Sequence, residues 1–105
     1  MPQLKIRSMR ADDIAQVRLL ELAAFGVTAG TAADLQLFLA QPTAGGVVAE
    51  YHGTIVGYLV YRIFLEAGQC RIRNLAVHPD HTQLGIGSAL LAFTRQFAPV
   101  GKGFD

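Results

Sequence analysis

Four stretches of the chain have the apolar patterning of β-strands. In the first, Leu4 and Ile6 alternate with charged residues, which predicts a short half-buried strand. The other three stretches are separated by short polar breaks that contain glycine, so they should form a meander of antiparallel strands. They are residues 47–50, 55–64 and 69–77. In the first of these breaks, His52 and Gly53 can both take a positive φ, which predicts a tight hairpin turn.

Three further stretches have apolar residues at helical spacing. Residues 11–25 predict a first helix that begins near Asp12 and Asp13, where negative charge suits the helix dipole, and ends at Gly26. A shorter second helix should follow the segment 31–34, whose Thr-Ala-Ala-Asp order resembles a capping box. Residues 85–98 predict the third helix, and one face of it carries Ile86, Leu90, Phe93 and Phe97.

Composition and charge exclude several classes of protein. The chain has 105 residues, 51% of them hydrophobic and 16% charged, which predicts one globular domain over residues 1–105. A net charge of +1, with the cations scattered, argues against nucleic-acid binding. The longest apolar run, 55–65, is broken by Gly57 and Arg62 and is too short to cross a membrane. A single cysteine, Cys70, and an N-terminus without an apolar signal region favour the cytoplasm.

The third helix opens on a feature that suits phosphate. Gly85, Ile86 and Gly87 follow an apolar strand and a polar turn, so they stand where a helix leaves its first N–H groups unpaired. Glycine allows a ligand to approach the backbone because no Cβ intervenes. Ser88 adds a hydroxyl. This stretch therefore predicts an anion-binding turn, although a plain helix start would have the same local sequence.

Two other phosphate-binding motifs fit this turn poorly. A P-loop requires a lysine directly after its last glycine, and Gly87 is followed by Ser88. A dinucleotide-binding fingerprint requires a third glycine, and Leu90 occupies that position.

The wider pattern resembles the acetyl-CoA motif of the GNAT N-acetyltransferase superfamily. The resemblance rests on Leu-Ala-Val-His-Pro-Asp at 75–80 and Gly-Ile-Gly-Ser-Ala-Leu-Leu at 85–91. The hairpin 48–58 is similar to the second and third strands of that family. The resemblance covers about residues 4–98. It implies an α/β fold with a mixed, mainly antiparallel sheet and helices on both faces, lacking the family's C-terminal strands.

The resemblance also implies a ligand and a reaction. Acetyl-CoA would be the cosubstrate, and its acetyl group would pass to a primary amine whose identity the sequence does not specify. The fourth strand would bind the pantetheine arm and polarise the thioester carbonyl, and the turn would bind the pyrophosphate. The implied cofactor-binding residues are Leu75, Ala76, Val77, Gln83, Leu84, Gly85, Ile86, Gly87 and Ser88. No metal ligands are implied.

The chain departs from the family pattern at three places. Thr82 stands where the family has arginine or glutamine. No carboxylate occupies 69–77, which leaves Glu66 and His78 as the candidates for an acid–base group, while His78 would equally serve as a solvent-facing turn residue. The sequence ends at Asp105, soon after the third helix. These departures keep open a second interpretation, a non-catalytic CoA-binding or interaction module of the same fold.

Other side chains have two interpretations each. Arg71 and Arg73 either face an anionic ligand or project from a sheet edge. Each of Tyr51, Tyr58 and Tyr61 either lines a substrate cleft or packs in the core with an exposed hydroxyl. Cys70 is expected to be a packed strand residue. The fourth strand should also have an open edge, since the chain stops soon after the third helix. From this edge we expect either a homodimer or a piece of a longer protein.

Overall fold

The computed structural model describes residues 4–26, 32–82 and 85–97. Four strands form one antiparallel sheet in the order β1-β2-β3-β4. The strands are β1 (Leu4–Ser8), β2 (Ala44–Tyr51), β3 (Thr54–Phe64) and β4 (Gln69–Val77). The helices are α1 (Ile14–Phe25), α2 (Ala32–Leu39) and α3 (Ile86–Phe97).

Helices cover both faces of this sheet, as predicted. Val17 and Leu20 of α1 and Leu35 of α2 pack with Tyr58 and Val60 on one face. On the opposite face, α3 packs through side chains that include Ile86 and Leu90 against a second cluster. The α/β architecture is therefore confirmed, and all four described strands are antiparallel. Within the described part of the chain, no strand follows α3. The expected capping box begins at Thr31 and lies outside the described residues.

The β2–β3 turn has the predicted backbone. His52 has a φ of 51° and Gly53 a φ of 80°. Two successive residues with positive φ give a turn whose twist matches that of the flanking strands. Tyr51 therefore pairs directly with Thr54, and the hairpin keeps this register for two residue pairs before a bulge.

A second irregularity interrupts the pairing of β3 with β4. Val60 pairs with Asn74, but the next residue, Tyr61, pairs with Ile72. Arg73 is therefore an extra residue, and β4 is bulged at this point. Because side chains alternate between faces along a strand, the bulge reverses the alternation between the two halves of β4.

An ion-pair cluster joins β1 to the start of α1. The two terminal nitrogens of the Arg7 guanidinium, Nη1 and Nη2, donate to the Asp13 carboxylate at 2.7 and 2.9 Å. The backbone N–H of Arg10 donates to the same carboxylate at 2.7 Å. Arg7 also contacts Glu50 of β2 at 3.0 Å. The hydrogen bond from Arg7 is the main cause that holds the pKa of Asp13 below its usual value of 3.8, against the opposing effect of burial.

We expect Asp13→Asn to lower the free energy of unfolding at pH 7 by about 2 kcal/mol, because it removes a charge-assisted contact to Arg7. A lowered pKa means that the ionised carboxylate stabilises the fold above its usual pKa, and that this contribution is lost as the pH falls through the folded-state value. The stability difference between wild type and variant should therefore shrink below about pH 4. Urea denaturation at pH 7 and again below about pH 4 measures the stability difference.

Asp12→Asn is the matched control, since Asp12 is exposed and makes none of these contacts. Equal losses in the two variants would show that the carboxylate of Asp13 does not tie β1 to α1.

Candidate functional site

The first turn of α3 presents backbone amides to a ligand. Gly85 has a φ of 70°, and its carbonyl accepts the first helical hydrogen bond, from Ala89 at 3.1 Å. The N–H groups of Ile86, Gly87 and Ser88 therefore precede the first intrahelical donor. The positive end of the helix dipole adds to this field, so the turn suits an anion. Gln83 and Leu84, the other two predicted turn residues, lie outside the described part of the chain.

Gly87 has no structural reason to be glycine in the described structure. Unlike Gly85, it does not have a positive φ. A Cβ on Gly87 would meet only Leu75 Cδ2, at 3.8 Å, which is an ordinary van der Waals contact. Glycine inside a helix costs about 1 kcal/mol relative to alanine. The described fold therefore does not require glycine at position 87. Close approach of a phosphate to this helix start would require it, because a Cβ would stand in the way.

The strand residues implied by the resemblance lie beside this turn. Leu75 approaches Gly87, and Leu75 and Val77 pack against the α3 side of the sheet, while Ala76 is buried on the opposite side. β4 is the last strand of the described sheet, so its outer edge pairs with no described strand. Such an edge offers unpaired N–H and C=O groups. The structure thus brings residues 75–77 and the described part of the turn together.

Ile86 takes part differently from its neighbours in the turn. Its side chain is fully buried, so only its backbone can meet a ligand. A Cβ on Gly57 of β3 would lie 2.8 Å from Ile86 Cγ2 and 3.4 Å from Leu90 Cδ1. Gly57 itself pairs with Ala49 of β2, and the extra residue at the nearby bulge is Val56. The absence of a side chain at Gly57 instead lets α3 approach the sheet.

The two acid–base candidates lie at opposite ends of β4. His78 follows the strand at the end near the glycine turn, and its Nδ1 accepts a hydrogen bond from the Asp80 backbone at 3.1 Å. In the neutral ring the proton is then on Nε2, which makes that atom a donor. Glu66 lies in the short helical turn Leu65–Ala67 that precedes β4, and it is exposed. Eight residue steps separate the ends of the strand, about 26 Å at strand rise.

All three histidines of the chain lie at the glycine-turn end of the sheet. The ring of His81 lies 5.6 Å from that of His78 and 5.7 Å from that of Tyr51, which in turn contacts His52. His81 Nδ1 is buried and has no hydrogen-bond partner among the described residues. The cluster borders Thr82, the exposed residue that stands where the resemblance implies arginine or glutamine. The burial of the His81 Nδ1 atom could not be predicted from the sequence.

The sequence did not reveal one buried polar group. Tyr58 is fully buried, and its hydroxyl donates to Glu21 Oε2 at 2.8 Å. Burial, and then the hydrogen bond with Glu21, raise the pKa of Tyr58. Arg18 completes the cluster through an ion pair with Glu21 at 3.2 Å. The expectation of an exposed hydroxyl was therefore wrong for Tyr58, because a buried carboxylate from α1 satisfies it.

Cys70 is a packed strand residue, as predicted. Its side chain is fully buried in the α3-facing cluster, and burial raises the pKa of its thiol. A thiol with a raised pKa is a poor nucleophile. Among the described side chains there is no grouping suited to a metal ion, and none of the described helices has the length and apolar character to cross a membrane.

Comparison with known proteins identifies the family. Residues 14–101 match the description "Acetyltransferase (GNAT) family". No curated protein matches the chain in sequence. Many solved structures share its fold.

Three of these structures illustrate the likeness. The ribosomal-protein-S18-alanine N-acetyltransferase from Escherichia coli superposes with a TM-score of 0.79 at 18% identity, covering 90% of this chain. This chain spans 58% of the length of that enzyme. An aminoglycoside acetyltransferase from an uncultured soil metagenomic sample, in complex with sisomicin, gives 0.76 at 28% identity, covering 90% of this chain and 69% of that one. An aminoglycoside N-acetyltransferase in complex with CoA gives 0.76 at 17% identity, covering 92% and 70%.

We expect Gly57→Ala to lower the free energy of unfolding by about 1–3 kcal/mol, because its Cβ would push Ile86 out of the packed interface with β3. Gly87→Ala is the matched substitution on the other side of that interface. Its Cβ makes only an ordinary contact with Leu75, and the substitution gains helix propensity, so it should leave stability unchanged or raise it by up to about 1 kcal/mol. Urea denaturation followed by circular dichroism measures both. A Gly57→Ala protein as stable as wild type would contradict the close approach of α3.

Proposed function

The chain belongs to the acetyltransferase (GNAT) family, and on this basis we propose that it transfers the acetyl group of acetyl-CoA to a primary amine. The amine nitrogen attacks the carbonyl carbon of the thioester, and a C–N bond forms as the C–S bond breaks. The thiolate of CoA leaves and takes up one proton, and the nitrogen loses one. The products are an amide and free CoA.

We propose that two backbone segments bind the cosubstrate. The amides of residues 83–88 would bind its pyrophosphate. The positive φ of Gly85 and the lack of any tight contact beside Gly87 support this assignment. Leu75, Ala76 and Val77 would bind the pantetheine arm through the free edge of β4. A backbone N–H on that edge would donate to the carbonyl oxygen of the thioester and stabilise the negative charge that develops there.

The contribution of this chain to the rate is then mainly positioning and polarisation. Holding amine and thioester in contact removes the entropic cost of bringing them together. Of the two acid–base candidates, His78 lies at the pyrophosphate end of the proposed site, and its Nδ1 already accepts a hydrogen bond from the Asp80 backbone. It suits a hydrogen bond to the cosubstrate better than proton abstraction. Glu66 lies beyond the other end of β4, where only an extended acceptor would reach it.

Gly87 is the observation that carries the proposal. The described fold gives no reason for glycine at this position, and close approach of a phosphate to the backbone does. The alternative, a non-catalytic module of the same fold, would use the same turn and differ only in turnover. Release of free CoA thiol in the presence of an amine distinguishes the two.

We expect Gly87→Val to abolish detectable CoA binding in calorimetry, because the branched side chain would block the approach of the pyrophosphate to the amides of α3. Ala92→Val is the matched control. This substitution also places a valine on α3, at an exposed position more than one turn after Gly87. The Ala92→Val protein should bind CoA as wild type does. Circular dichroism and the urea midpoint confirm that both variants fold. Undiminished CoA affinity in folded Gly87→Val would overturn the assignment of the turn.

We also propose that the chain forms a homodimer in which the partner covers the outer edge of β4 at residues 69–72, outside the part that would bind the cosubstrate. This half of the strand contains the half-buried Ile72, and no described strand pairs with its outer edge. An unpaired edge next to partly buried apolar side chains favours association with another chain.

Sedimentation equilibrium at micromolar concentration tests the dimer. We expect a mass of twice that of the chain, and Ile72→Lys should shift the equilibrium towards monomer by placing a charge beside the strand edge. Lys5→Glu on β1, at the opposite edge of the sheet, is the control. A monomer across the concentration range would refute the dimer without affecting the proposed CoA site.

A further inference from the structure

An open groove of about 260 Å³ lies beside the first half of β4. Three arginines, two phenylalanines and one isoleucine from three elements line it. They are Phe38 of α2, Arg62 and Phe64 of β3, and Arg71, Ile72 and Arg73 of β4.

Each arginine of the groove lies over an aromatic ring. The guanidinium carbons of Arg62 and Arg71 are 5.3 and 5.0 Å from the centre of the Phe64 ring. That of Arg73 is 4.6 Å from the centre of the Phe38 ring. Cation–π contacts of this kind orient a guanidinium without neutralising it, so its N–H groups stay available.

None of these three arginines forms an ion pair within the described part of the chain. Arg71 donates only to the neutral side-chain oxygen of Gln69. Elsewhere in the structure, by contrast, Arg7 and Arg18 are paired with carboxylates. The groove therefore keeps a positive charge that the surrounding residues do not neutralise.

The pairing of β3 with β4 makes this concentration of charge costly. Arg62 and Arg71 are direct cross-strand partners, and like charges directly opposite each other destabilise a sheet. Their contacts with the Phe64 ring are favourable but neutralise neither charge. A bound anion would turn the repulsion into attraction, because guanidinium groups bind carboxylate and phosphate through parallel hydrogen bonds.

The groove begins where the proposed cosubstrate site ends. Arg73 is the bulged residue of β4, two positions before Leu75. From Val77 to Arg73 the strand runs about 13 Å, away from the glycine turn. A thioester lying along residues 75–77 would thus have the pyrophosphate turn on one side and the arginine groove on the other. An acceptor whose anionic end lies in the groove would have its amine directed towards the thioester.

We propose that this groove binds an anionic group of the acceptor, so that the substrate is a small amine that also carries a carboxylate or a phosphate. The inference rests on the proposed acetyl transfer and specifies its substrate class. The groove is smaller than pockets that enclose a whole drug-sized ligand, so it suits one end of a molecule. It disfavours polycationic acceptors, a class to which the aminoglycosides bound by some of the structural neighbours belong.

Matched pairs of amines provide the test. γ-Aminobutyrate and butylamine differ in a carboxylate, and phosphoethanolamine and ethanolamine differ in a phosphate. With acetyl-CoA and the full chain, we expect kcat/KM for the anionic member of at least one pair to exceed that of its neutral twin by at least about tenfold. The pair that shows the preference identifies the anion. Spermidine should be the poorest acceptor.

Substitutions in the groove should remove this preference. Arg62→Gln and Arg71→Gln should each reduce the ratio within the preferred pair to less than about a third, and the double variant should bring it close to one. Neither variant should lower the unfolding midpoint, because each relieves the Arg62–Arg71 repulsion. Lys5→Gln on β1 removes the same charge far from the groove and should leave the ratio unchanged.

A binding measurement separates this inference from the proposed function. Amide shifts in NMR spectra report titration of the CoA-loaded protein with phosphoethanolamine or γ-aminobutyrate. Shifts at 71–73 that disappear in Arg62→Gln, without turnover of any amine, would support the anion site and refute the transferase. Equal kcat/KM within both pairs, or no shifts at 71–73 with either anion, would overturn the anion site whatever the activity.

Discussion

The close contact between α3 and β3 at Gly57 sets the geometry of the proposed cosubstrate site. A side chain at Gly57 would occupy the space that Ile86 fills, and Ile86 is the first residue of α3. Their contact fixes the start of the helix against the sheet, one strand away from the outer edge of β4. The proposed cosubstrate site requires this arrangement, because it needs the amides of the turn and the edge of the strand within reach of one extended ligand.

Much of the fold could be predicted because its elements carry strong local patterns. The alternation in β1, the apolar stripe of α3 and the positive-φ pair at His52 and Gly53 each specify their structure within a few residues. The hypothesis of an anion-binding turn at the start of α3 also came from the sequence, since it depends on glycine and on the order of strand, turn and helix. These features are local, and the resemblance to the family added the ligand.

Features that depend on distant residues could not be predicted in the same way. Tyr58 and Glu21 are 37 positions apart, and only the packing of α1 on β3 brings the hydroxyl to the carboxylate. The orientation of Arg71 was left open for a related reason. A regular alternation would place Arg71, Leu75 and Val77 on one face of β4, but the extra residue at Arg73 puts Arg71 opposite Arg62, on the other face. The bulge at Arg73 has no clear sequence signal, and it determines on which face of the sheet Arg71 lies.

The bulge in β4 also divides the strand into two parts that can diverge separately. Beyond Arg73 the side chains of Leu75, Ala76 and Val77 pack on the two faces of the sheet, and the proposed cosubstrate would contact only their backbone. The exposed side chains of the strand are those of Arg71 and Arg73, and these can change without disturbing the packed residues. On the proposed roles of these two parts, a mutation that alters the choice of acceptor need not alter the binding of acetyl-CoA. Acceptor specificity would then be a modular trait, because one extra residue separates the side chains that would select the amine from the backbone that would bind the cosubstrate.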